Sequence, residues 1–155
     1  MISKTGLHQY YFEVQLKRSS GLKGVLSAKD VEERIEVATP PGFAGGVPGY
    51  WSPEQLFLSA ICSCLMATYL AFAGKKQLDV SGFECNAIGQ VELVEGHLEF
   101  TTVNLFPKIY VQKEEDLTAA NEILLKTYRH CIIANSVKAH LVHHGEVLTE
   151  KIPGK

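Results

Sequence analysis

The sequence predicts a single α+β domain over residues 1–155. Three observations point there. Strand-like stretches come in blocks separated by helical ones, in the order β-β-β-α-β-β-α-α-β, and not as alternating βαβ units. One uncharged helical stretch carries complete start signals. Apolar residues make up 46% and charged residues 21% of 155 residues, enough for a packed core and too apolar for disorder.

Residues 8–17, His-Gln-Tyr-Tyr-Phe-Glu-Val-Gln-Leu-Lys, are aromatic and β-branched and predict the first strand. Ser19-Ser20-Gly21 marks a turn, and two short strands follow at Gly24-Val25-Leu26 and Arg34-Ile35-Glu36-Val37. The proline- and glycine-rich run 40–49 continues no regular element. Ser52 then serves as N-cap, Pro53 as first helical residue, and Gln55 closes a capping box. Trp51 and Leu56 occupy the positions of a hydrophobic staple. With Gly74 as its stop, this helix runs over 53–73, about 30 Å at 1.5 Å per residue. It is apolar nearly all round, so burial on every side is expected, with a second subunit completing the cover. Residues 56–73 are uncharged but slightly short for a membrane span and diluted by serine, threonine and alanine, so no membrane is expected.

Two long strands over 78–94 and 97–111 meet at Glu95-Gly96. The second alternates Thr101, Val103, Leu105, Ile109 and Val111. Leu117, Ala120, Leu124 and Tyr128 form a helical stripe. A short helix from just after Cys131 to about His140 and a last strand over 145–150 complete the chain.

The net charge of −2 and the scattered Lys and Arg offer no attraction for nucleic acid. The N-terminal residues hold no apolar signal segment, so the cytoplasm is expected, where cysteines are thiols or a transient redox pair. Cys62 and Cys64 lie about 200° apart on the helix and face opposite sides. Cys85, in a strand, reads as an inert thiol. Cys131 sits between two helical segments beside Arg129 and His130; at a helix start the dipole would favour its thiolate. On spacing alone, a functional pair and structural thiols both remain open. His130, His140, His143 and His144 fall late in the chain, and His140 and His144 have i, i+4 spacing. No carboxylate or cysteine completes a zinc pattern, so no metal is expected.

Ser-Pro-Glu-Gln-Leu-Phe-Leu-Ser-Ala-Ile-Cys-Ser-Cys-Leu, residues 52–65, resembles the helix motif of the OsmC/Ohr family, in which the reactive cysteine follows the glutamate by ten residues. Glu54 and Cys64 match it. His130-Cys131-Ile132-Ile133-Ala134-Asn135 is similar to the family's His-Cys-Pro motif, with Ile132 in place of proline. The resemblance implies an intertwined homodimer with a long central buried helix wrapped by antiparallel sheets. It implies a thiol peroxidase that reduces organic hydroperoxides to alcohols, Cys64 being oxidised to a sulfenic acid that Cys131 resolves. An external lipoyl-type dithiol would be the reductant, with no bound cofactor. Glu54 would hold an arginine near Cys64. The family position, just before Gly24, holds Gly21 and Leu22 here, and Arg18 is the candidate. Phe57, Leu65, Tyr69 and Phe72 would bind an alkyl or aryl group. The alternative is a non-catalytic member of this fold that binds an apolar small molecule at the dimer interface.

Overall fold

The computed structural model describes residues 8–150. The segment on which the absence of a signal sequence rests, residues 1–7, lies outside them. The chain is α+β and packs as two compact units, one through Leu56 and one from Phe57 onward.

The first unit is an antiparallel three-stranded sheet of β1 (Val14–Ser20), β2 (Lys23–Ala28) and β3 (Ile35–Ala38), in that order. The predicted first strand starts too early: residues 8–13 form no strand, and pairing begins where Val14 meets Ala28. Residues 40–49 are a succession of turns. Trp51 bridges to Val37, and its carbonyl accepts the Ala38 N–H at 2.9 Å, so backbone pairing sets the approach to the helix while the Trp51 side chain stays half exposed. The capping box forms in both directions. The Gln55 N–H donates to Ser52 Oγ at 3.2 Å, and the Ser52 N–H donates to Gln55 Oε1 at 3.0 Å.

Helix α1 (Pro53–Lys75) passes from the first unit into the second. It does not stop at Gly74. Gln77 takes the left-handed conformation at φ 55, and the Leu78 N–H reaches back to the Ala73 carbonyl at 3.0 Å, a Schellman closure without glycine. Leu78 packs against the buried cluster that contains Ala73 and Tyr69.

In the second unit β4 (Val80–Val94) and β5 (His97–Val111) form a long antiparallel hairpin. Glu95 at φ 48 and Gly96 at φ 88 supply the two positive φ values of a tight two-residue turn. Val103, Leu105, Pro107, Ile109 and Val111 line the fully buried face of β5. Gly89 of β4 is required by close packing, since a Cβ there would collide with the Phe100 ring and press on Leu58. Helix α2 (Leu117–His130) buries Ala120, Ile123, Leu124 and Thr127.

The predicted helix after Cys131 is replaced by a 3-10 turn at Ala134–Ser136 and then β6 (His140–His143), parallel to β5. β7 (Glu146–Thr149) pairs parallel with β5 further along the same edge. This sheet is therefore mixed, not purely antiparallel. Leu141 and Val142 are a short apolar pair whose period does not distinguish strand from helix, and the free edge of β5 decides.

Within the second unit α1 buries one stripe, Ile61, Leu65, Tyr69 and Ala73, while Met66 and Leu70 remain 40% and 42% exposed. One chain thus covers one side of the helix, not all of it. At 23 residues, with a mean hydropathy of 2.0 over its most apolar 18, the helix is long and apolar enough to cross a membrane by length and composition. The buried stripe is instead packed into a protein core with β5 and α2 residues.

Candidate active site

Cys64 lies half-buried on α1, and Cys131 is fully buried at the C-terminal end of α2. The chain turns sharply at Cys131. Its N–H still closes the helix onto Thr127, while its own ψ of 113 takes the backbone out of the helix. Residues 131–136 then fold back. The Asn135 N–H donates to the Cys131 carbonyl at 3.0 Å, and the Asn135 side-chain amide donates to Arg129 O at 3.0 Å, capping α2.

This fold-back aims successive backbone N–H groups at sulfur. Ala134 N–H donates to Cys131 Sγ at 3.5 Å. Cys64 packs against the core cluster that contains Cys131, close enough for the Ile133 and Ile132 amides and the Cys131 thiol to act on its charge. Thr68 Oγ1, one turn along α1, is 3.9 Å from Cys64 Sγ. Burial alone would raise the Cys64 pKa. The Ile133 N–H, the Cys131 thiol, Thr68 and the Ile132 N–H outweigh it, so Cys64 sits below an ordinary thiol. Cys131 goes the other way, to about 11, because burial dominates and a thiolate at Cys64 repels a second charge. The expectation that Cys131 starts a helix and gains from its dipole is corrected here: it ends α2, where the dipole disfavours a thiolate. The donors at Ile132 and Ile133 had no signal in the sequence, because they depend on where the fold-back lands on α1; Thr68 follows from its i, i+4 spacing to Cys64.

Glu54 stands in the first turn of α1, with Oε2 buried and lacking a hydrogen-bond partner among the described residues. Arg18 is exposed in β1, and its Nε donates to Gly21 O at 2.9 Å. No ion pair joins it to Glu54 among the described residues.

The four predicted pocket residues divide. Leu65 and Tyr69 are sealed in the core at 1% and 0% exposure, and the Tyr69 hydroxyl donates to Ala120 O at 3.1 Å. They are removed from any substrate wall. Helical geometry explains this: they lie about 80–120° around α1 from Phe57, whereas Cys64, Thr68 and Phe72 stay within about 60° of it. Phe57 stacks on Phe100 at 4.7 Å between ring centroids, and Phe72 meets the His130 ring edge-on at 5.4 Å.

Three of the four late histidines, His130, His143 and His144, have aromatic partners. His143 stacks on Tyr128 at 3.8 Å, and His144 stacks on Phe106 and lies 2.8 Å from Asn104 Oδ1. His140 and His144 lose their helical spacing because β6 is a strand. Among the described residues no three His, Cys, Asp or Glu side chains gather as metal ligands.

Fold and site together define an α+β protein in which a long helix offers a half-buried cysteine to the thiol that ends the second helix. The chain belongs to the OsmC-like protein family, whose model matches residues 46–144. No curated protein matches it in sequence. Solved structures share the fold. An OsmC-like protein of unknown function from Vibrio cholerae is 22% identical, with a TM-score of 0.74 over 92% of this chain and 100% of that one. An organic hydroperoxide resistance protein from Elizabethkingia anophelis is 17% identical, with a TM-score of 0.70 over 92% and 99%. One from Bacillus subtilis is 17% identical, with a TM-score of 0.64 over 90% and 98%.

Proposed function

We propose that this chain reduces organic hydroperoxides with Cys64 as the attacking thiolate and Cys131 as the resolving thiol. The observation that carries the proposal is that the turn ending α2 seats Cys131 in the core cluster against which Cys64 of α1 packs. The first step is attack of the Cys64 thiolate on the O–O bond. It consumes one proton, releases an alcohol and leaves a sulfenic acid. Cys131, still a thiol at neutral pH, condenses with that acid, forms a disulfide and releases water. A small external dithiol of the lipoyl kind then exchanges with the disulfide, leaving both cysteines reduced and itself oxidised. The chemistry uses no bound metal or nucleotide, and the cytoplasm supplies the reducing setting.

Phe57 and Phe72, on the same face of α1 as Cys64, would favour an alkyl or aryl peroxide over hydrogen peroxide. Glu54 has a buried carboxylate oxygen to offer a cation, and Arg18 is the sequence's candidate. The working unit is a homodimer, because the second unit leaves Met66 and Leu70 of α1 and Ile88, Leu93 and Leu98 of the hairpin exposed.

Consumption of cumene hydroperoxide by the reduced protein with dihydrolipoamide tests the proposal. Faster turnover than with hydrogen peroxide is expected. If the reduced protein leaves several organic hydroperoxides untouched, catalysis is wrong, and binding of an apolar molecule at a dimer interface becomes the reading to pursue.

A further inference from the structure

The second unit holds two more thiols, and the fold brings them together as well. Leu58 of α1 packs where Gly89 of β4 leaves room, and Tyr69 further along α1 meets Phe83 of β4, with ring centroids 5.8 Å apart. The helix therefore crosses β4 with rising helix numbers against falling strand numbers. Cys62 falls between Leu58 and Tyr69, and Cys85 falls between Gly89 and Phe83. Both are free and half-buried, and Cys85 packs against the Ile61–Leu65 core cluster, on the side of the strand that faces α1.

We propose that Cys62 and Cys85 form a second reactive dithiol that a small-molecule disulfide oxidises to an intramolecular disulfide joining α1 to β4. Cys64 points to Cys131 around the other side of the helix, so the two couples are separate sites. Cys62 is the attacking group: the influence of the neighbouring Cys85 thiol, against the opposing effect of burial, brings its pKa to about 7. Cys85 is held far up by the same interaction, by burial and by the Cys62 charge, so it keeps its proton until it is needed. The inert role expected of Cys85 becomes that of a resolving thiol.

The exchange balances in two steps. The Cys62 thiolate attacks one sulfur of the small disulfide, forms a mixed disulfide and expels a thiolate. Cys85 then loses its proton to that thiolate and attacks the Cys62 sulfur, expelling the second small thiol. Two protein thiols are oxidised and one small disulfide is reduced to two thiols.

The test uses the full chain carrying Cys64→Ser and Cys131→Ser, in which Cys62 and Cys85 are the remaining cysteines. The peroxidase couple is absent from this variant, so its outcome is independent of the proposed reaction at Cys64. Treatment with oxidised glutathione should remove two hydrogens from the intact mass and join the peptides that carry Cys62 and Cys85. A persistent glutathione adduct at Cys62, or two thiols still free, would overturn the proposal. A second measurement keeps all other residues native: Cys85→Ala should slow alkylation of Cys62 at pH 7. Raising the pKa from about 7 to the ordinary 9.0 cuts the thiolate fraction about fiftyfold, partly offset by greater nucleophilicity, leaving a loss of about five- to tenfold. An unchanged Cys62 rate would also sink the idea.

Discussion

The two cysteines of the candidate active site have different environments, and each predicts its own result. Cys64→Ser should abolish hydroperoxide turnover, since a serine hydroxyl is not ionised at neutral pH. Cys131→Ser should allow one oxidation and then stall, with a sulfenic acid that trapping reagents label. A thiolate is the attacking form, so the rate should rise with pH through the Cys64 pKa and reach half its plateau below the pH of a free thiol. Ile132 refines this. The extended backbone of Cys131 would accept a following proline, yet proline has no N–H to offer Cys64. Ile132→Pro should therefore shift the pH profile of Cys64 alkylation upward with the fold unchanged; an unshifted profile would assign the lowering to Ile133, Cys131 and Thr68 alone. Cys64 and Cys131 were singled out by two motifs that stand at fixed places in the chain. Their electrostatics had no such local signal, because the groups at 131–133 that lower the Cys64 pKa come near it only through tertiary folding.

Elements whose ends are written locally were legible. Ser52, Pro53 and Gln55 announce α1, and Glu95-Gly96 announces the hairpin, because caps and tight turns depend on neighbours within a few residues. Ser52→Ala should cost about 1–2 kcal/mol in urea unfolding, since it removes a buried oxygen from the Gln55 N–H. The far end of α1 was misread, because Gly74 suggested a stop that Gln77 provides. Gln77→Gly should stabilise the protein by about 1 kcal/mol by relieving the left-handed backbone at that position, read in the same unfolding experiment. β6 was misread as helix for a different reason. Its four residues gain their structure from pairing with Thr102–Leu105, more than thirty positions earlier, and no local pattern carries that information.

At the scale of the molecule, one chain leaves much apolar surface uncovered. Met66 and Leu70 project from a helix of 23 residues, and Leu93 and Leu98 face solvent across the hairpin end. A homodimer at low micromolar concentration is the expected state in sedimentation, and Leu70→Lys should dissociate or destabilise it; a stable native monomer would contradict the proposed assembly. β5 has a further consequence. It is paired to β4 along one edge and to β6 and then β7 along the other, so its central amides open only when several strands separate together. In hydrogen exchange, the stretch around Val103–Ile109 should be the last to trade its protons, tracking global unfolding, while β1, exposed along its whole length, should exchange far sooner. The segment that carries Cys131 runs between α2 and β6, and so it is tethered at its far end to the slowest-opening strand of the protein.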